Sequence, residues 1–169
     1  MLKLLSDLIG QPVISERDAS PVGRVRSTVF DAAKGKVLAY RLGGTDGRYV
    51  STVDVRGYLD HGLVIAGAEV AQTLDDLPSI LRAAEAGIEP VGLRAETNKG
   101  KRLGTVDDAT IETDGHFLTK LHIKPRWWQL SGKELIVPRA RVERFEPKRV
   151  VLRYDNGGSP AGLEPEVAA

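Results

Sequence analysis

Three histidines are the first residues that could bind a metal or carry a proton: His61, His116 and His122. His61 stands in an Asp60-His61-Gly62 turn, far along the chain from the other two. His116 and His122 read as members of one strand. Their even spacing puts them on the same face but roughly 20 Å apart, at about 3.3 Å per residue. Two ligands cannot share an ion over that distance. The expectation is surface histidines and no metal site. The pairs Asp75-Asp76 and Asp107-Asp108 could suggest acid–base work. Neighbours on a strand point to opposite faces, so Asp107 and Asp108 form no catalytic dyad. Asp75 and Asp76 suit the first turn of a helix, where carboxylates complement the dipole. Gly43-Gly44-Thr45-Asp46-Gly47 lacks the lysine and helix of a phosphate-binding loop, and Gly100-Lys101-Arg102-Leu103-Gly104 runs into a strand. The chain has no cysteine, which removes thiolate nucleophiles, disulfides and zinc knuckles. These residues predict no enzyme and no cofactor.

Two other features have the chemistry of binding. Arg126-Trp127-Trp128 holds both tryptophans of the chain. Exposed Trp and Arg are frequent anchors of protein interfaces. The competing reading has one Trp plug the fold while the other packs on a helix. The second feature is charge. Lys120, Lys124, Arg126, Lys133, Arg139, Arg141, Arg144, Lys148, Arg149 and Arg153 face only Glu134, Glu143 and Glu146 in that stretch, a local excess of seven positive charges. On one face they would attract RNA, an acidic protein or anionic lipid. Spread around a barrel they are a solvated set of outward positions. The residues expected to bind a partner are Lys124, Arg126, Trp127, Trp128, Arg139 and Arg141.

The elements that must position these residues are mostly strands. Pro12–Ser15, Val22–Phe30, Val37–Leu42, Arg48–Val50, Val55–Leu59 and Leu63–Ile65 carry strand signals, separated by Gly- and Asp-rich turns. In Val22–Phe30 the alternation sets Val25, Ser27 and Val29 against Arg24 and Arg26. Leu2–Ile9 reads as one or two amphipathic helical turns. Thr73 reads as the cap of a single convincing helix that contains Leu74, Leu77, Ile80 and Leu81 and ends at Gly87. Strand signals return over Val91–Ala95, Leu103–Ile111, Phe117–Ile123, Leu135–Val137, Val142–Phe145 and Val150–Tyr154. From Asn156 onward Gly, Pro, Ser and Glu dominate, and a disordered tail is expected over 156–169.

The two strand-rich halves are copies. Val22-Gly23-Arg24-Val25 matches Leu103-Gly104-Thr105-Val106 at an offset of 81, and Val50–Val55 matches Val137–Val142 at 87. The change places a six-residue insertion between Ile123 and Leu135, which contains Pro125-Arg126-Trp127-Trp128. Short strands cannot leave open edges safely, so each copy should close into a barrel. The expected fold is mainly all-β: two small barrels in tandem, over 1–67 and 88–155, with a linker helix at 68–87.

The repeat resembles the PRC-barrel superfamily. The resemblance rests on Leu8-Ile9-Gly10-Gln11-Pro12-Val13, Pro21-Val22-Gly23-Arg24-Val25, and Tyr49-Val50-Ser51 with Val53-Asp54-Val55. In the second copy it rests on Gly100–Asp108 and Leu135-Ile136-Val137-Pro138. It implies six-stranded barrels that act as adaptors between larger components. Relatives so implied include the cytoplasmic part of the photosynthetic reaction-centre H subunit and the C-terminal domain of a ribosome maturation factor. The chain shows neither the membrane helix of the first nor the N-terminal domain of the second, so neither job carries over directly.

Composition bounds the rest. Of 169 residues, 41% are hydrophobic and 28% charged, with a net charge of +1, so no global field draws nucleic acid or membrane. The apolar start Met1–Ile9 is short and interrupted by Lys3 and Asp7, which reads as no secretory signal. The expectation is a soluble cytoplasmic protein with no integral membrane segment. It should be a non-catalytic adaptor for a protein partner. The alternatives are an RNA- or ribosome-associated factor using the basic second copy, and a peripheral membrane or photosynthetic-complex protein using the apolar start.

Overall fold

The structure, a computed structural model, describes residues 1–125 and 134–153. Three strands and one helix open it: β1 (Leu2–Leu4), α1 (Leu5–Leu8), β2 (Pro12–Ser15) and β3 (Pro21–Asp31). Then come β4 (Lys36–Leu42), β5 (Tyr49–Ser51), β6 (Val55–Leu59) and β7 (Gly62–Ile65). The connection holds β8 (Ala71–Gln72) and α2 (Pro78–Ala86). The second copy has β9 (Arg94–Thr97), β10 (Arg102–Glu112), β11 (Leu118–Pro125), β12 (Leu135–Pro138), β13 (Val142–Glu146) and β14 (Arg149–Leu152). The fold is two tandem β-barrel-like units joined by a short helix.

The copies agree to the level of the ladder. Strand order is β6-β7-β2-β3-β4-β5 in the first and β13-β14-β9-β10-β11-β12 in the second. Each has one parallel pair, β2 with β7 and β9 with β14. Val25 pairs Leu42 and Val106 pairs Ile123; Val50 pairs Tyr40 and Val137 pairs Leu121. Register breaks fall at matching places: Val25/Ser27 and Val106/Asp108, then Val29/Phe30 and Thr110/Ile111. Bulges are built features that bend a strand and re-aim its side chains. Their repetition shows that both copies curve in the same way.

Those bulges correct the simple alternation read for β3. Thr28, Val29 and Phe30 are all buried. Val29 and Ala39 take the apolar face of α2 through Leu77 and Ile80, while Phe30 joins the main core. Both faces of this stretch are therefore covered, where the alternation predicts a half-buried strand.

The chain start is also corrected. One helical turn forms at Leu5–Leu8 as read, but Leu2–Leu4 is a strand and pairs with β10 through Leu2↔Glu112, Lys3↔Ile111 and Leu4↔Thr110. The far half of long β10 would otherwise leave an edge of unsatisfied backbone groups. Thr73 does not cap α2. It precedes a separate 3-10 turn at Leu74–Asp76, and its hydroxyl donates to the Asp76 carboxylate at 2.9 Å. Pro78 disfavours helical backbone at Leu77, which sits at φ −124°, ψ 61°, so α2 starts at the proline itself. Gly87 ends the helix at φ 60°, as read.

The lead-in segments of the two copies cross over. β1 and α1 precede the first copy but pack on β10 of the second. α2 precedes the second copy but packs on β3 of the first. One hydrophobic core runs through both, from Leu5, Val13, Phe30 and Tyr40 to Leu121, Ile123, Phe145 and Val150.

Gly104 and Gly23 occupy matching positions with different room. A Cβ on Gly104 would collide with the Lys124 carbonyl on β11, whereas one on Gly23 would meet the Leu42 Cδ1 at 3.3 Å. A methyl pressed against backbone cannot be relieved by a rotamer change. Gly104→Ala should cost about 1–3 kcal/mol, and Gly23→Ala distinctly less, in urea unfolding of the two variants. Equal losses would refute the close approach at β10–β11.

Candidate functional site

The hairpin tips of the two copies meet about a pseudo-two-fold axis. Val37 N–H donates to the His116 carbonyl at 3.0 Å, and Leu118 N–H donates to the Gly35 carbonyl at 2.9 Å. These are the same bond in the two copies, since 35, 37 and 116, 118 match at the repeat offset. Lys36 and Phe117, also equivalent, pair antiparallel between them, with the Lys36 ammonium 5.1 Å from the Phe117 ring centre. Phe30 of the first copy meets Phe145 of the second edge to face, with ring centres 5.0 Å apart.

A polar chain flanks this axis. The Tyr40 hydroxyl bonds the Tyr58 hydroxyl at 2.8 Å, and Tyr58 bonds His116 Nδ1 at 3.0 Å. Tyr40 is wholly buried. Burial pushes the Tyr40 hydroxyl well above its usual pKa and that of Tyr58 to about 12, so both stay protonated. Burial, and then the Lys36 ammonium, hold the His116 pKa below its usual 6.5. With His116 neutral and its proton on Nε2, Nδ1 accepts from Tyr58, which in turn accepts from Tyr40. His116 is thus no surface strand residue. It lies in the turn before β11, half-buried, at φ 61°. The Asp114-Gly115 turn beside it was legible; its partner on the other copy was not. His122 is on β11, as expected, but is half-buried, bonded to Thr110 at 2.8 Å and 3.3 Å from Glu134.

A second feature on the axis is a groove of about 440 Å³ lined by Leu5, Ser6, Ile9, Arg26, Ser27 and Asp108 among others. Ser27 and Asp108 are equivalent positions. Ser6 closes part of the groove, with its hydroxyl and N–H both donating to the Asp108 carboxylate.

The residues expected to bind a partner are placed as follows. Arg126, Trp127 and Trp128 lie outside the described residues. Lys124 is exposed near the end of β11 that precedes them in the chain. Arg139 and Arg141 form the 3-10 turn after β12, at its far end. Lys124 and this turn are separated by the length of β12, about 13 Å at 3.3 Å per residue. Arg139 faces inward in part: its guanidinium lies 5.8 Å from the Phe145 ring centre, donates to the Val142 carbonyl at 3.2 Å, and packs over Gly35 of the first copy.

The basic excess of the second copy is also partly neutralised. Arg144 donates to Glu143 at 2.6 Å and to Glu146 at 2.7 Å. Arg149 donates to Glu146 at 2.6 Å and to Glu96 at 3.1 Å, and Arg94 also pairs with Glu96. The bonds from Arg149 and Arg144 hold the Glu146 carboxyl below its usual pKa. Glu96 comes from β9, outside the stretch whose charge was counted.

The model of one protein family, described as the PRC-barrel domain, matches residues 2–69 and again residues 85–158. No curated protein matches the chain.

The polar chain gives two expectations. Tyr58→Phe leaves the buried Tyr40 hydroxyl without its partner and should cost about 1–3 kcal/mol, most of which the double variant Tyr40→Phe/Tyr58→Phe should recover. A double variant less stable than Tyr58→Phe would sink that account. The lowered His116 pKa means that, below about pH 6.5, the unfolded chain takes up its proton first. Stability contributed by neutral His116 is therefore present above that pH and is lost as pH falls toward the folded-state value. Urea unfolding from pH 7.5 to 5 should show a steeper loss in the wild type than in His116→Asn, which tolerates the same backbone.

Proposed function

The chain belongs to the PRC-barrel domain family, and from that premise we propose that it is a non-catalytic adaptor whose second copy binds a protein partner. One observation carries this reading. The copies share strand order, register and bulges on both sides of the β11–β12 connection, yet only that connection is lengthened by six residues. The first copy makes the same link from β4 to β5 across 43–48. The extra residues are therefore not demanded by the fold. They bring Arg126, Trp127 and Trp128, the residue types that dominate binding energy in protein interfaces. Lys124 borders that loop, and Arg141 with the outer part of Arg139 extends the surface along the second copy. We take the units as 1–67 and 88–155 with 68–87 between them, and the setting as cytoplasmic.

RNA or ribosome association is the second reading, supported by the basic residues of the second copy. It ranks lower because Arg144 and Arg149 are held by Glu143, Glu146 and Glu96. A peripheral membrane role would use the apolar start. Met1 and Leu2 are exposed there, but Leu5 is buried in the core. No helix among the described residues is long and apolar enough to cross a membrane.

Affinity capture from the native cell extract should retain a protein that Trp127→Ala/Trp128→Ala loses, with at most a few-fold change between 50 and 200 mM salt. An unchanged partner set in the double variant would make the tryptophan loop structural. Capture that falls by about a thousandfold over that salt range would instead favour a nucleic acid.

A further inference from the structure

The two copies end their sheets differently. In the first, β5 lies between β4 and β8, with Tyr49 opposite Gln72 and Val50 opposite Ala71. The cover is short but packed, since Ala71 is only 6% exposed. In the second, the equivalent strand β12 pairs with β11 along one side, and among the described residues no strand lies on the other.

The sequence does not repeat the cover. Continuing the offset of 87 from Ala71 and Gln72 leads to Gly158 and Ser159, with Pro160 next. Glycine has no side chain to bury where Ala71 buries one, and Gly and Pro are poor strand formers. Natural edges are usually blunted by an inward charge, a bulge or a proline along the strand. β12 reads Leu135-Ile136-Val137-Pro138, with no charge and its proline only at the last position.

We propose that the outer edge of β12 is a docking strand for an extended acidic segment of a protein partner, which adds antiparallel to it as β8 adds to β5. The proposal rests on the adaptor reading above and names what the adaptor holds. The first copy supplies the geometry: backbone pairing of Ile136 and Val137 in the place of Tyr49 and Val50. Charge supplies the chemistry. Lys124 stands exposed on neighbouring β11, with Lys120 on the same strand and Arg141 in the turn that follows β12 adding to the positive charge of this region. Glu134, just before β12, lies 3.3 Å from His122. Main-chain bonds give such additions their affinity, and flanking side chains give them selectivity.

The test is amide hydrogen exchange by NMR on the full chain. The probe is an acetylated nine-residue peptide alternating Glu and Val; the control carries Pro at its central Val. The outward amides of residues 135–137 should exchange at least about tenfold more slowly with saturating probe, and unchanged with the control. The outward amides of β5 should be protected throughout. Gly158→Pro should leave the β12 rates as they are in the wild type. Three results overturn the proposal: no slowing by the probe, equal slowing by a nine-nucleotide oligouridylate, or wild-type protection that Gly158→Pro abolishes. The last would make the chain's own tail the occupant. If the probe fails while extract capture still depends on Trp127 and Trp128, the adaptor reading stands and only the docking strand falls.

Discussion

Two backbone hydrogen bonds, Val37 N–H to His116 O and Leu118 N–H to Gly35 O, are the constraint around which the molecule is arranged. A barrel of some 65 residues is at the small end of what buries enough apolar surface to fold. Its hairpin tip is also an edge with unsatisfied backbone groups. Joining two such tips about an axis solves both problems. The edge groups pair with each other, and the surfaces beneath them, Phe30 against Phe145, become interior. The crossed lead-in segments follow from the same geometry. Once the tips face each other, the segment before each copy lies closer to the long strand of the other. β1 can then complete β10, and α2 can cover β3. The single core is the result.

The fold was legible wherever the determining interactions are local. Alternation, Gly35 in the first hairpin and Gly87 at the helix end were each visible as patterns a few residues long. The repeat was visible too, because two copies of one pattern reinforce each other at fixed offsets. What escaped detection depends on residues far apart. Leu2–Leu4 looks helical in isolation and becomes a strand only because β10 has an edge to fill. Val29 and Phe30 break alternation because one side faces α2 and the other the shared core. His116 reads as a strand residue until Tyr58, 58 positions earlier, reaches it. Among the residues expected to bind, Lys124 sits at the surface, whereas Arg139 proves to be shared with the packing between copies. Nothing in its neighbours announces Gly35 as the residue it covers.

The axis is symmetric in backbone and not in side chains. Tyr58 and Phe145 are equivalent, as are His116 and Gly35, and Thr52 and Arg139. On one side an aromatic hydroxyl reaches a histidine. On the other a bare phenyl ring meets a guanidinium that fills the space above a glycine. Both arrangements close the same gap, one by a hydrogen-bonded chain and one by packing and cation–π attraction. Matching positions therefore differ in a compensating way across the axis, because the side chain at one tip sets the room left for the other.

That coupling bears on where a partner can bind. A symmetric pair of barrels would present every surface twice and would favour a symmetric partner. Here the axis is occupied by interactions the fold requires, so divergence there is limited to substitutions that keep it closed. Away from the axis no such restriction applies, and there the copies differ most. The first has β8 along its outer strand and a short β4–β5 link. The second has a link six residues longer, which holds both tryptophans, and among the described residues no strand beyond β12. The outer-strand difference lies one strand beyond β11, and the longer link leaves the end of β11 opposite its paired tip. The closed axis gives a stable scaffold, and the differences away from it leave the two copies with unlike outer strands. Under the adaptor reading proposed above, such an asymmetric pair would offer a partner one distinct surface rather than two equivalent ones.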